Sequence, residues 1–253
     1  MTRIEALKVK LFADGADRRT MLELSENPAI KGFTTNPTLM RKAGVRDYEG
    51  FAREMIEAIP DRPISFEVFA DEFDEMERQA YTIASWGDNV YVKVPVTNTR
   101  GKSASHLIHR LSQSGVKVNA TAIMTLEQIR ETVFALAAGA PSYVSVFAGR
   151  IADTGRDPVP ILRAALDLMR PYPHMELIWA SPREVLNIFQ AEEIGCHILT
   201  ATNDILQRLN LVGRDLSQYS LNTVQMFYDD ARNSGFHFDV PAFMGAETLA
   251  AAT

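Results

Sequence analysis

The segment ISFEVFADEFDEMERQAYTIASWGDNVYVKVPVT (64–97) contains the structural unit that decides the fold. Its two ends, ISFEVFA (64–70) and VYVKVPVT (90–97), are rich in β-branched and aromatic residues, a composition typical of strands. Between them, FDEMERQAYTIASWG (73–87) places apolar residues at helical spacing and ends in a glycine. This order predicts two parallel strands that are joined by a crossover helix.

The same unit recurs on both sides of this segment. Seven gaps of 21 to 32 residues separate the starts of eight strand-like runs: VKLFAD (9–14), GFTTN (32–36), ISFEVFA (64–70), VYVKVPVT (90–97), KVNATAI (117–123), YVSVFAGR (143–150), MELIWAS (175–181) and CHILTAT (196–202). Eight such units favour a closed (β/α)8 barrel of the TIM type over an open doubly wound sheet, which would need fewer strands or an alternating edge strand. We therefore predict an α/β fold in a single domain over residues 1–253, with the barrel at about 9–212 and an additional C-terminal helix at about 216–236.

Composition excludes several classes of protein. Of the 253 residues, 46% are hydrophobic and 23% are charged, which is typical of a globular protein and not of a disordered one. Cys196 is the one cysteine, so the chain cannot form an intramolecular disulfide or a cysteine-built zinc site. A net charge of −6 without a long basic run argues against nucleic-acid binding, and no apolar run predicts a membrane span. We expect a cytoplasmic protein with no nucleic-acid or membrane partner.

Polar residues lie where the predicted strands end. In barrels of this type the chemistry is located at the C-terminal ends of the strands. In this sequence those ends carry Asp14, Thr34, Thr35, Asn36, Glu67, Lys93, Asn119, Thr121, Ser145, Phe147, Ser181, Thr200 and Thr202. Arg150 and Arg183 follow just beyond the sixth and seventh strands.

Lys93 is the most informative of these residues. Its neighbours Val92 and Val94 face the opposite side of the strand, so Lys93 points into the barrel if the valines face the outer helices. A buried lysine either pairs with a carboxylate, here Asp14 or Glu67, or loses its proton. A neutral lysine can attack a carbonyl carbon and form a Schiff base. The residues alone leave the ion pair and the nucleophile open, and the two carboxylates could equally be charge partners, helix caps or proton carriers.

A second group of residues could bind an anion. Ser181 and Arg183 lie at a predicted strand-to-helix turn, where free backbone N–H groups favour phosphate, and Arg150 could complete a two-arginine clamp. Surface ion pairs are the alternative interpretation of both arginines. His106 and His109 lie three apart on a predicted helix, but no acidic third ligand accompanies them, and we expect no metal site.

Six motifs together resemble those of the transaldolases and the related fructose-6-phosphate aldolases. They are FAD (12–14), GFTTNPT (32–38), VYVKVPVT (90–97), VNATAI (118–123), SVFAGRI (145–151) and WASPR (179–183), in the family order, and the resemblance runs from about Val9 to Phe236. It implies a (β/α)8 barrel with class I aldolase chemistry, in which an iminium withdraws electrons, so neither a metal nor an organic cofactor is expected.

The resemblance also implies roles for individual residues. Lys93 would form the Schiff base, Asp14 would be the acid/base group, and Glu67 and Thr121 would orient the catalytic water. Substrate contacts are implied for Thr34, Asn36, Asn119, Ser145 and Phe147, and phosphate contacts for Arg150, Ser181 and Arg183. Pro182 departs from the family pattern, which often has a bulky residue between the serine and the arginine.

Two positions favour transaldolase within the family. Glu67 and Phe147 stand where the aldolases usually carry glutamine and tyrosine. The expected reaction, in the pentose phosphate pathway, moves a dihydroxyacetone unit from fructose 6-phosphate or sedoheptulose 7-phosphate to erythrose 4-phosphate or glyceraldehyde 3-phosphate. The alternatives are an aldolase that releases free dihydroxyacetone, a transaldolase for an unusual acceptor, and a barrel that binds sugar phosphates without turnover. The expected partners are phosphorylated sugars and, in a homo-oligomer, further copies of the chain.

Overall fold

Eight parallel strands pair in chain order and close on themselves in the computed structural model, which describes residues 4–238. The strands are β1 (Lys10–Asp14), β2 (Ile30–Thr34), β3 (Ile64–Glu67), β4 (Val90–Pro95), β5 (Val118–Ile123), β6 (Ser142–Val146), β7 (Met175–Trp179) and β8 (Ile198–Thr202). Each overlaps one of the eight predicted runs. The predicted (β/α)8 barrel is confirmed.

Helices alternate with the strands along the chain. They are α1 (Arg18–Ser25), α2 (Pro37–Lys42), α3 (Tyr48–Ala58), α4 (Phe73–Ala84), α5 (Ser105–Gln113), α6 (Leu126–Leu136), α7 (Ala148–Ala152), α8 (Val159–Met169), α9 (Leu186–Ile194), α10 (Asn203–Gln207) and α11 (Leu216–Ser234), with 3-10 turns at Ile4–Ala6 and Arg208–Leu211. The helix α11 confirms the predicted C-terminal helix. Across residues 4–238, every helix is too short or too polar to cross a membrane.

Strand β2 ends earlier than the sequence predicted. The predicted run was 32–36, but the strand is Ile30–Thr34 and the chain leaves the sheet at Asn36. The side chain of Asn36 caps α2, because its Oδ1 accepts a hydrogen bond from the Leu39 N–H at 2.9 Å. Pro37 then starts the helix, and proline has no N–H with which to continue a ladder.

Apolar side chains fill two regions of the barrel. Outward-facing residues such as Val92 and Val94 are fully buried beneath the helices. Inside the barrel, Phe12, Tyr143, Ile178, Ala180 and Ile198 form a separate apolar cluster. The ring of Tyr91 stacks on Tyr143 with centroids 3.9 Å apart. Tyr91 and Phe147 pack against this inner cluster.

The glycine at position 32 makes room for this inner cluster. A Cβ atom at Gly32 would lie 2.5 Å from the ring of Phe12, which is closer than real carbon contacts allow. The aromatic ring therefore takes the space that a side chain on β2 would fill.

Over the described residues, the chain divides into two compact units, with the boundary after Asn210. In the second unit, α11 begins at the N-cap Asp215, whose carboxylate accepts a hydrogen bond from the Gln218 N–H at 2.8 Å. The helix ends at Gly235 in a left-handed conformation with φ of 67°. The single domain expected over residues 1–253 stays a prediction.

Candidate active site

Lys93 lies inside the barrel between a carboxylate and a backbone carbonyl. Its side chain is 7% exposed, its Nζ is 3.2 Å from Glu67 Oε2, and it donates a hydrogen bond to the Thr35 carbonyl oxygen at 2.8 Å. Glu67 and Lys93 are register partners on β3 and β4, so the strand pairing itself brings them together. The structure therefore shows the ion pair that the sequence left open, and the same contact gives Lys93 a nearby acceptor for its proton.

Asp14 lies at the end of β1 and is held by a hydroxyl from β2. Thr34 Oγ1 donates to Asp14 Oδ1 at 2.7 Å and lies 2.6 Å from Thr200 Oγ1. Burial raises the pKa of Asp14 above its ordinary value, and the positive charge of Lys93 and the Thr34 hydrogen bond oppose this effect. A carboxyl group with a raised pKa can hold and release a proton closer to neutral pH than an ordinary aspartate.

A buried hydrogen-bonded chain crosses the barrel beside Lys93. Ser145 Oγ donates to Asn119 Oδ1 at 2.7 Å, and Asn119 Nδ2 donates to Ser65 Oγ at 3.0 Å. Asn119 is the register partner of Lys93 on β5. The chain fixes the orientation of the Asn119 amide, so the predicted site residues Asn119 and Ser145 form one polar unit.

Thr121 contributes a buried hydroxyl without a protein partner. Thr121 is 1% exposed, and no polar atom among residues 4–238 forms a hydrogen bond with its Oγ1. The next residue, Ala122, has φ of 63°, the left-handed region that non-glycine residues rarely adopt. Buried hydroxyls are usually satisfied, so this one is available to a water or to a substrate.

The loops after β6 and β7 meet at an unusually close contact. Ser181 has φ of 60°, and a Cβ atom on Gly149 would lie 1.5 Å from the Ser181 carbonyl oxygen. Only glycine fits at position 149 while the Ser181 backbone stays in place. This contact ties the start of α7, which carries Arg150, to the turn that carries Ser181 and Arg183.

The two predicted phosphate arginines differ in their surroundings. Arg183 Nε donates to Asp153 Oδ1 at 2.9 Å, and a second N–H of the guanidinium pairs with the other oxygen of the same carboxylate. This pair raises the pKa of Arg183 and lowers that of Asp153. Arg150 lies over the Phe147 ring, 5.7 Å from its centroid, and no carboxylate within residues 4–238 forms an ion pair with it.

The cavities do not coincide with the whole predicted site. One of about 340 Å³ is lined by Asp14, Lys42, Thr202 and Asn203 at the C-terminal end of the barrel. A larger cavity of about 550 Å³ lies at the opposite end, against Tyr91, Tyr143, Glu176 and His197. The larger cavity contacts none of the predicted site residues, so the candidate site is defined by its hydrogen bonds and buried charges.

Several residues of the site were missed from the sequence. Ser65 could have been found, because it lies two positions before Glu67 and so faces the same side of β3. Thr200 was among the strand-end residues but received no role. No sequence signal marked the Thr35 carbonyl, Tyr48 or Asp153, whose contacts depend on distant parts of the chain.

The chain is similar to known proteins of one family. The family model described as Transaldolase/Fructose-6-phosphate aldolase matches residues 11–240. A "Probable transaldolase" of Streptococcus equi subsp. zooepidemicus (strain MGCS10565) is 36% identical over 204 residues, which cover 79% of this chain and 90% of that protein. A "Probable transaldolase" of Streptococcus pyogenes serotype M5 (strain Manfredo) is 34% identical over 202 residues, with the same shares covered.

Solved structures also resemble the chain. The crystal structure of 3-hexulose-6-phosphate synthase from Salmonella typhimurium matches with a TM-score of 0.55 and 13% identity, over 79% of this chain and 91% of that chain. At this identity the likeness concerns the barrel fold alone.

Proposed function

The chain belongs to the transaldolase and fructose-6-phosphate aldolase family and is a transferase of the transaldolase type, and we propose that it carries a dihydroxyacetone unit on Lys93. The proposed donors are fructose 6-phosphate and sedoheptulose 7-phosphate, and the proposed acceptors are erythrose 4-phosphate and glyceraldehyde 3-phosphate. One observation carries this proposal: a buried lysine that lies 3.2 Å from a carboxylate, at the strand end where such barrels hold their chemistry.

The first step is attack of Lys93 on C2 of the ketose phosphate. Transfer of a proton from Nζ to Glu67 Oε2, 3.2 Å away, leaves the neutral amine that this attack needs. The adduct is a carbinolamine, and loss of its hydroxyl as water gives the iminium. Glu67 supplies the proton for this loss through a water, for which the unpartnered hydroxyl of Thr121 is a suitable anchor.

The second step breaks the C3–C4 bond. Asp14 accepts the proton of the C4 hydroxyl, the C4 oxygen becomes a carbonyl, and the aldose phosphate leaves. The electron pair of the broken bond moves into the enamine, with the Lys93 nitrogen as the electron sink. Thr34 occupies Oδ1 of Asp14, so Oδ2 is the atom proposed to take the proton.

The third step reverses the second with a new aldehyde. The enamine attacks the acceptor carbonyl carbon, Asp14 returns its proton to the new hydroxyl, and hydrolysis frees Lys93. Asn36, Asn119 and Ser145 would hold the hydroxymethyl and hydroxyl groups of the three-carbon unit. The Asn119–Ser145 hydrogen bond of 2.7 Å supports this role, because it sets the amide in a single orientation.

Phosphate binding falls to the loops after β6 and β7. Arg150 has no carboxylate partner in the described residues, and Arg183 keeps three N–H donors beyond those that Asp153 takes. The Ser181 hydroxyl lies between them in sequence on the strained turn.

Phosphorylated sugars are cellular metabolites, and buried, unpaired Cys196 fits a reducing compartment, so the proposal places the enzyme in the cytoplasm.

An aldolase that releases free dihydroxyacetone is the second candidate, because the family includes both activities. The two activities differ in whether the reaction needs an acceptor aldehyde. With fructose 6-phosphate alone, a transaldolase releases little dihydroxyacetone, and addition of glyceraldehyde 3-phosphate or erythrose 4-phosphate produces the transfer product. Equal rates of release with and without acceptor would replace the proposal with the aldolase. A protein that binds the sugars without any turnover would reject both.

A further inference from the structure

Tyr48 connects the start of α3 to the backbone of Glu67. Its hydroxyl accepts a hydrogen bond from the Glu67 N–H at 2.9 Å and donates one to the Glu67 carbonyl oxygen at 2.7 Å. Burial raises the pKa of Tyr48, so the hydroxyl remains protonated and can donate. A single side-chain hydroxyl thus satisfies both backbone groups of this residue.

The β-ladder explains why these two groups need a side chain. Strands β2 and β3 pair at Phe33 with Ile64 and at Thr34 with Ser65, and the Thr35 N–H donates to the Ser65 carbonyl. In a parallel ladder, the next rung would join the Glu67 N–H to the Thr35 carbonyl and the N–H of residue 37 to the Glu67 carbonyl. Residue 37 is Pro37, which has no N–H, and the chain has already turned into α2.

The missing rung leaves an acceptor for the lysine. The Thr35 carbonyl, which regular pairing would assign to the Glu67 N–H, instead accepts a hydrogen bond from Lys93 Nζ at 2.8 Å. Tyr48 occupies the Glu67 N–H that would otherwise compete for it.

We propose that Tyr48 is a positioning residue, which holds the Glu67 backbone out of the β2 ladder and so reserves the Thr35 carbonyl for Lys93. This inference rests on the proposed function, because it assigns Lys93 as the reacting amine. Tyr48 acts through Glu67 and Thr35 and touches no reacting atom.

The variant Tyr48→Phe tests this role with little change in packing. The ring of Tyr48 packs at an angle against Phe66, Phe69 and Trp86, with centroids 5.5 to 6.4 Å apart, and phenylalanine keeps these contacts. Without the hydroxyl, the Glu67 N–H is free to take the Thr35 carbonyl, and the charged form of Lys93 loses an acceptor. The other titratable groups that face Lys93 are Glu67 and Asp14, and both remain in the variant.

The measurement is the rate of borohydride trapping with fructose 6-phosphate as a function of pH. We expect the Tyr48→Phe profile to lie about tenfold or more below the wild-type profile, because the Thr35 carbonyl no longer holds Lys93 Nζ in position. We also expect kcat for transfer to fall about tenfold or more, with KM for the phosphorylated donor nearly unchanged. KM does not depend on how much enzyme is folded, and kcat is expressed per folded enzyme, so both can be compared even if the variant is less stable.

Tyr81→Phe is the matched control. The Tyr81 hydroxyl donates to Ser114 Oγ at 3.2 Å on the outer helices and contacts no site residue, so this variant should keep the wild-type profile. A Tyr48→Phe profile that coincides with the wild type and Tyr81→Phe overturns the inference and leaves the proposed function intact. Failure of the wild type itself to be trapped overturns both.

Discussion

Glu67 and Lys93 are register partners on adjacent strands, and their side chains meet 3.2 Å apart inside the barrel. An ion pair between a buried lysine and a partly buried glutamate is poor support for stability, because desolvation of both charges offsets much of their attraction. In the proposed mechanism the role of this pair is chemical. A carboxylate that neutralises the ammonium at rest can also accept its proton when the carbonyl substrate arrives.

The first prediction concerns the buried carboxyl of Asp14. Burial raises its folded-state pKa, so folding favours the protonated form and the ionised form destabilises the protein. This destabilisation is absent below the unfolded-state pKa of about 3.9. It grows as the pH rises from there to the raised folded-state pKa, and it is constant above that pKa. Asp14→Asn should therefore raise the melting temperature at pH 7 to 8, with a gain that shrinks toward pH 4.

The same variant should lose transfer activity by about 10²-fold or more, because asparagine cannot accept the C4 hydroxyl proton. Exposed Asp88 provides a control, since Asp88→Asn should change neither the melting temperature nor the activity. A stability gain for Asp14→Asn that does not depend on pH would contradict the assigned cause.

The second prediction concerns phosphate. Arg150→Ala and Arg183→Ala should each raise KM for phosphorylated sugars by about 10- to 150-fold, since a hydrogen bond to a charged group contributes about 1.5–3 kcal/mol. Arg150→Ala should have the larger effect, because Asp153 already neutralises part of the Arg183 charge. Steady-state kinetics with fructose 6-phosphate and with unphosphorylated fructose check this. Equal losses on both sugars would remove the arginines from the phosphate site.

The local sequence pattern was sufficient to predict the strands and the polar residues at their ends. Runs of β-branched and aromatic residues, and the gaps between them, located all eight strands, and the strand-end rule then listed Asp14, Thr34, Glu67 and Lys93, which the structure places in contact as two pairs. The sequence did not predict contacts that depend on the exact end of a strand or on the meeting of two loops. The Thr35 carbonyl accepts Lys93 because β2 leaves the sheet before Pro37, and Arg183 pairs with Asp153 because a close backbone contact at Gly149 joins two loops.

The third prediction uses that close contact. Gly149→Ala would place a Cβ atom 1.5 Å from the Ser181 carbonyl oxygen, so the Ser181 turn must move. We expect a loss of about 1–3 kcal/mol in the free energy of unfolding, together with a higher KM for phosphorylated sugars. At Gly15 a Cβ atom would meet nothing within 4 Å, so Gly15→Ala is the matched control for stability by denaturant unfolding. Equal free energies of unfolding for the two variants would contradict this prediction, because they would show that the Ser181 turn moves at little energetic cost.

The fourth prediction concerns the fate of the three-carbon unit. Phe147 has no hydroxyl, so in the proposed mechanism only Glu67 and Thr121 activate the water for hydrolysis. Phe147→Tyr would add a phenolic donor and acceptor while keeping the aromatic ring under Arg150. We expect a higher ratio of released dihydroxyacetone to transferred unit, measured with fructose 6-phosphate at saturating acceptor and without acceptor.

In the same assay, Glu67→Gln should slow transfer by about 10²- to 10⁴-fold, because it removes the proton shuttle. An unchanged product ratio in Phe147→Tyr would show that position 147 does not control release.

The central claim is that Lys93 carries the three-carbon unit, and mass spectrometry after borohydride reduction tests it most directly. With fructose 6-phosphate, the wild type should gain one reduced three-carbon adduct, located on the peptide that contains Lys93. Lys93→Met, which replaces the amine with an apolar side chain of similar size, should show no adduct and no turnover while keeping the wild-type circular dichroism spectrum. Labelling of another residue, or full transfer activity in folded Lys93→Met, would contradict the account.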